Sequence, residues 1–113
     1  PMAHMHDNTQ PGHSFIGYGQ RLMALNDNDA LRADLHACNT YTNGPDAAKS
    51  LTQPALCILA ENDRMTPVKF GREMAKTLNH AEMTIISGAG HMLPAEYPAE
   101  VNAALRSFFQ PSQ

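Results

Sequence analysis

The spacing of hydrophobic positions changes character midway along the chain. From His13 to Asn26, Phe15, Tyr18, Leu22 and Leu25 recur at helical spacing, with Ile16 and Met23 beside them, which predicts an amphipathic helix. The polar run Asn26-Asp27-Asn28-Asp29 breaks it and offers caps for a second helix. That helix carries Leu31, Leu35 and Cys38 on one face and ends towards Asn43-Gly44-Pro45. A short helical turn from Asp46 to Leu51 leads to Pro54. Beyond it, Ala55 to Ala60 is apolar without alternation, the pattern of a strand covered on both faces. Polar residues Glu61 to Arg64 close that strand. Thr66 reads as an N-cap and Pro67 as the first residue of a helix whose Val68, Gly71, Met74, Ala75 and Leu78 face a core. Met83 to Ile86 predicts a second buried strand, terminated by Gly88-Ala89-Gly90. The last helix starts at Pro98, with Val101, Ala104, Leu105 and Phe108 as its apolar stripe.

The second half is therefore strand, helix, strand, helix. Strands joined through a helix run parallel. Two parallel strands, apolar on both faces, need edge partners and flanking layers that a chain of this length does not supply. The class expected is α/β, with two parallel strands, flanking helices and a helical N-terminal segment. The strand deficit predicts either a homo-oligomer of the isolated chain or membership in a larger sheet.

Composition narrows the function classes. A chain of 113 residues has room for one domain at most, and 42% hydrophobic against 17% charged residues excludes a disordered tail. A net charge of -3 with scattered Lys and Arg argues against nucleic-acid and anionic-membrane partners. The longest apolar run, Ala55 to Ala60, is far short of a bilayer span, and no signal-peptide pattern opens the chain, so the expectation is a cytoplasmic location. Cys38 and Cys57 lack CxxC spacing and fit reduced, buried thiols better than a disulfide framework, with a single bridge left open. Pro1 to Gly12 reads as an irregular entry segment, and a start at Pro1 rather than Met suggests a processed or cut chain.

Two motifs carry chemistry. The stretch Pro54 to Pro67, an apolar strand followed by Glu61-Asn62-Asp63-Arg64 and a proline-led helix, resembles the seventh strand and acid loop of α/β-hydrolase fold enzymes. Ile85 to Pro98, a strand ending in Gly90-His91 with Glu96-Tyr97-Pro98 after it, resembles the eighth strand and histidine loop of the same family. Ala60 stands where the family usually has glycine, a departure that affects backbone approach more than chemistry. The resemblance is close over 46–113 and less specific over 13–45, which is similar to the helical cap of such enzymes. It implies a partial α/β-hydrolase fold, with 1–45 a cap or lid-like segment and 46–113 the C-terminal portion of the core. It further implies a serine hydrolase acting on a small-molecule, ester-like substrate in an intact parent, with no cofactor and no metal. Asp63 and His91 would be the acid and the base of a Ser–His–Asp triad, Glu96 would organise the histidine loop, and Phe15, Tyr18 and Met23 would line the pocket. Independently of the resemblance, a carboxylate and an imidazole that each follow a buried parallel strand share the carboxyl end of one sheet, where sites in open α/β sheets lie.

The nucleophile does not appear. A triad serine on this fold needs a G-x-S-x-G elbow after a strand. Gly12-His13-Ser14-Phe15-Ile16 has Ile16 in place of the second glycine and no apolar strand before it, so Ser14 reads as a polar residue near a helix start. Ser50, Ser87 and Ser107 have no elbow context. The oxyanion hole, built from the residue after the nucleophile and an early loop, is missing for the same reason. The isolated chain is expected to be inactive. The alternative is a non-catalytic, self-associating module on a truncated hydrolase scaffold. His4, His6 and His13 with Asp7 complete no metal-ligand spacing and read as solvated, and the methionines read as packing.

Overall fold

Parallel pairing of two six-residue strands sets the frame. The computed structural model describes residues 15–111. Ser14 and the His4, His6, His13 and Asp7 group lie outside the described residues, as does the side chain of Phe15. The chain divides into two compact units, one ending at Gly44 and the other running from Pro45 onward.

In the first unit, α1 (Phe15–Ala24) and α2 (Asn28–Thr40) form on either side of the predicted break. Asp27 caps α2: its backbone is extended, and its Oδ1 accepts the Asp29 N–H at 3.0 Å. The Arg21 guanidinium lies over the Tyr18 ring, 5.9 Å from its centroid. The expectation of buried cysteines is corrected here. Cys38 is exposed, as are Leu31 and Leu35, and α2 buries no residue at all. Two helices alone provide no second layer to cover the outer part of their apolar stripes.

The helix α3 (Gly44–Ser50) leads into the second unit, which continues β1 (Ala55–Ala60), α4 (Val68–Thr77), β2 (Ala81–Ile86), α5 (Leu93–Glu96) and α6 (Pro98–Phe109). The strands pair in parallel with Ala55 opposite Ala81 and Ala60 opposite Ile86. β2 begins two residues before the predicted Met83, because the Ala55 N–H donates to the His80 carbonyl at 2.8 Å and starts the ladder there. Pairing with β1, and not the apolar character of Ala81 and Glu82, recruits those residues. Thr66 is not the helix cap that its sequence position suggests. Pro67 occupies the cap position with no side-chain bond, while the Thr66 hydroxyl donates to Asp63 instead. α6 starts at Pro98 as expected.

The core is small and lies beneath the carboxyl ends of the strands. Ala60, Ile86, Ala89, Leu93 and Val101 form it, with Ile58 and Tyr97 packed against it. Cys57 is buried in β1, as predicted. Elsewhere the strands are only half-covered, and Met83 is exposed, which is what a two-stranded sheet without further edges leaves. Asn79, after α4, ties the far end of the unit together by donating from Nδ2 to the carbonyls of Lys49 and Leu51 at 2.9 and 2.8 Å.

Two glycines are required by geometry. Gly71 on α4 faces Leu59, and a Cβ there would displace the leucine side chain. Gly88, in the turn after β2, has φ +77°, and a Cβ would stand 3.0 Å from the Tyr97 hydroxyl oxygen. Replacing Gly88 with Ala is expected to destabilise the chain by about 1–2 kcal/mol, the cost of a left-handed L-residue. Urea unfolding of the two proteins measures it, and equal midpoints would contradict the argument.

Candidate active site

The turn after β1 and the turn after β2 are laced together by main-chain bonds. Glu61 N–H donates to the Ile86 carbonyl at 3.1 Å and Asn62 N–H to the Ala89 carbonyl at 2.9 Å. This brings Asp63 and His91 to the same end of the strand pair. The Asp63 carboxylate organises its own loop. Its Oδ1 accepts the N–H groups of Met65 and Thr66, each at 2.9 Å, and its Oδ2 accepts the Thr66 hydroxyl at 2.9 Å. His91 Nδ1 then lies 3.1 Å from both carboxylate oxygens. The Asp63 side chain is 11% exposed and that of His91 38%, so the acid is largely sheltered and the ring reaches solvent. The two residues singled out from the sequence are thus in contact.

Electrostatics favour an ionised acid. Burial pushes the Asp63 pKa up, but the Thr66 N–H, the His91 ring, the Thr66 hydroxyl and the Met65 N–H together outweigh it and hold the carboxyl below its ordinary range. With Asp63 ionised, His91 donates its Nδ1–H to it, which orients the ring and leaves Nε2 with a lone pair. Such an imidazole can take a proton from a nucleophile on its Nε2 side and later return it.

Neighbouring carboxylates do other work. Glu96 on α5 accepts the Gly90 N–H at 3.2 Å through Oε1, next to His91, while its buried Oε2 has no hydrogen-bond partner among the described residues. Glu61 accepts the Gly88 N–H at 2.8 Å and the Ser87 hydroxyl at 2.9 Å, and these bonds hold its pKa down against slight desolvation. Neither Thr66 nor Glu61 stood out in the sequence as part of the site. For Thr66 the signal is the spacing from Asp63, which suits an aspartate turn closed by a hydroxyl. For Glu61 no local signal exists, because its partners come from the turn after β2.

A cleft of about 530 Å³ adjoins the pair. Ile58, Leu59, Phe70, Met74, Leu93 and Val101 supply its apolar wall, with Asp63 and His91 at its polar side. Among the described residues, Ser50 donates to the Ala47 carbonyl and Ser87 to Glu61, so neither hydroxyl is directed at His91. Ser107 lies on α6. Among the described residues no group of three or more His, Cys, Asp and Glu side chains is placed to hold a metal ion, and no helix is long and apolar enough to cross a membrane.

A parallel strand pair joined by a helix, carrying an aspartate and a histidine on successive strand-end loops, defines the C-terminal region of an α/β-hydrolase. Comparison with known proteins agrees. Residues 25–113 match the sequence profile of the family described as TAP-like protein, and the chain belongs to that α/β-hydrolase family. It is 37% identical over 79 residues to BpoC of Mycobacterium tuberculosis, named as a non-heme bromoperoxidase, which covers 70% of this chain and 30% of that protein. The BpoC crystal structure superposes with a TM-score of 0.56 at 35% identity, over 57% of this chain and 24% of that one. A thermophilic esterase from Thermogutta terrifontis superposes with a TM-score of 0.60 at 27% identity, over 63% of this chain and 26% of that one. An α/β-hydrolase from a Mar Chica lagoon metagenome shares the fold, with a TM-score of 0.69 at 20% identity, over 89% of this chain and 46% of its own. The chain thus spans about 30% of the length of the curated relative BpoC.

The lowered pKa of Asp63 has a consequence for folding. A carboxyl depressed in the native state stabilises fully above its ordinary value of 3.8, and that contribution is lost as pH falls from there through the lower native pKa. Asp63→Asn is therefore expected to make the acid limb of the stability profile shallower below about pH 4, with Glu61 keeping its own share. Urea midpoints measured across the acid range check this; parallel limbs for the two proteins would contradict it.

Proposed function

We propose that this chain is the part of a serine-type α/β-hydrolase that supplies the acid and the base, and that the intact protein cleaves an ester or related acyl bond in a small molecule. The observation that carries the reading is the Asp63–His91 contact, 3.1 Å to each carboxylate oxygen, at the ends of adjacent parallel strands. In this reading His91 takes the proton of a serine held on a part of the intact protein other than these 113 residues and returns it to the leaving group. Asp63 keeps the ring in the useful tautomer and stabilises the imidazolium. No organic cofactor enters such a sequence. The word esterase in the name of the Thermogutta protein supports acyl chemistry, whereas the name of BpoC favours oxidative halogenation as the competing activity of the whole protein.

A fluorophosphonate probe and a nitrophenyl ester test the proposal on a protein carrying this chain together with the preceding part of the fold. Labelling and turnover are expected there, with His91→Ala and Asp63→Asn each lowering kcat by about 10⁴-fold. The 113-residue chain alone is expected to take no label. Undiminished turnover after loss of His91 would sink the reading, and bromination of a diketone dye without esterase activity would favour the competing one.

A second reading, self-association of the chain as a non-catalytic module, draws on its exposed apolar side chains. Met65, Phe70, Met74 and Phe109 are each more than half exposed, and Phe70 and Met74 belong to the apolar wall of the cleft. Light scattering on the isolated chain is expected to give a dimer or larger species, and a well-folded monomer would count against it.

A further inference from the structure

We propose that Glu61 is a positioning residue, whose carboxylate clasps the turn leading to His91 and so holds the imidazole against Asp63. The inference rests on the reading of Asp63 and His91 as a working pair and adds a third residue to it. A single oxygen, Glu61 Oε2, accepts both the Gly88 N–H at 2.8 Å and the Ser87 hydroxyl at 2.9 Å. Glu61 lies just ahead of Asp63 in the chain, and Ser87 and Gly88 lie just ahead of His91. The clasp therefore spans the two loops that have to meet.

Its surroundings give it leverage. Gly88 sits at φ +77°, where the chain leaves β2 and turns towards His91, and the Glu61 carboxylate is the acceptor that its N–H finds there. The main-chain bonds from Glu61 N–H to Ile86 and from Asn62 N–H to Ala89 flank the clasp on either side. Together these bonds fix the approach of the histidine turn over consecutive residues. Glu61 is exposed and adds nothing to the core, so its influence acts through loop geometry. Both bonds are to an anionic acceptor, the stronger kind of hydrogen bond. The depressed pKa of Glu61, caused first by the Gly88 N–H and then by the Ser87 hydroxyl, is what such a clasp produces.

Position and charge are separable here. Because one oxygen takes both bonds, a glutamine amide oxygen can occupy the same place and accept both without the negative charge. The measurement is the fraction of the Nδ1–H tautomer of His91, read from ring-nitrogen NMR on the 113-residue chain in alkaline solution where the ring is neutral, with Asp63→Ala as the reference for a ring without its acceptor. Glu61→Ala is expected to lower that fraction by about half or more towards the reference, and Glu61→Gln to keep the wild-type value. A wild-type fraction in folded Glu61→Ala would overturn the proposal, as would equal losses in the Ala and Gln variants, which would mark a charge effect. If Glu61→Ala does not fold, Ser87→Ala, which removes one of the two bonds, takes its place, with a partial loss expected and no change counting against the clasp. A wild-type spectrum indistinguishable from Asp63→Ala would instead remove the pair itself, and the clasp with it.

Discussion

The direction in which β2 runs relative to β1 decides whether a site can exist on this chain at all. A six-residue strand is about 20 Å long. Had the two strands paired antiparallel, the residue after Ala60 and the residue after Ile86 would lie at opposite ends of the ladder, separated by roughly that length. Parallel pairing puts Ala60 opposite Ile86, so the loops that follow leave side by side. The crossover through α4 makes the parallel arrangement possible, and Gly71 lets that helix approach Leu59 on β1. Register matters as much as direction. A slip by one residue would turn Cys57 and Ala60 away from the surfaces that now bury them.

Within that frame, two carboxylates acquire lowered pKa values by different routes. Asp63 is sheltered, and burial alone would raise its pKa. It stays ionised because its two oxygens collect donors from Met65, Thr66 and His91, most of them from its own turn. Most of these donors are local, so the orientation of the carboxylate does not depend on His91 alone. Glu61 is exposed and undergoes little desolvation, so two donors from the turn after β2 suffice. One carboxylate shapes its own loop, while the other spans two loops.

Features written in contiguous residues were legible in the sequence. The unbroken apolar run Ala55 to Ala60, the glycines after Ile86 and the proline at Pro98 each act on their immediate neighbours, and β1, the end of β2 and the start of α6 follow. Asp63 and His91 were legible because each sits at a fixed offset from such a run. What could not be read depends on partners distant in the chain. Ala81 and Glu82 become strand because the Ala55 N–H bonds to the His80 carbonyl and Ala55 pairs with Ala81, and the Thr66 hydroxyl prefers Asp63 to the helix end. The short α5 over Leu93–Glu96 places Leu93 in the core. Cys38 is exposed because an apolar stripe specifies a face that could be buried, without specifying what buries it.

The same logic bears on the chemistry of the proposed hydrolase. Oriented dipoles and a fixed imidazole accelerate a reaction most where water is excluded, because the same interaction is several-fold stronger at low effective dielectric. His91 is 38% exposed, and the cleft beside it has an apolar wall of Ile58, Leu59, Phe70 and Met74 open to solvent. Those side chains gain free energy on being covered, at roughly 25 cal/mol per Å² of apolar surface. A layer laid over them would also dry the edge of the cleft on which Asp63 and His91 stand. Covering the apolar wall and strengthening the acid–imidazole interaction would therefore go together. The hydrogen bonds of Asp63 with His91 and of Glu61 with Ser87 and Gly88 are formed without such a layer, on the loops that carry them.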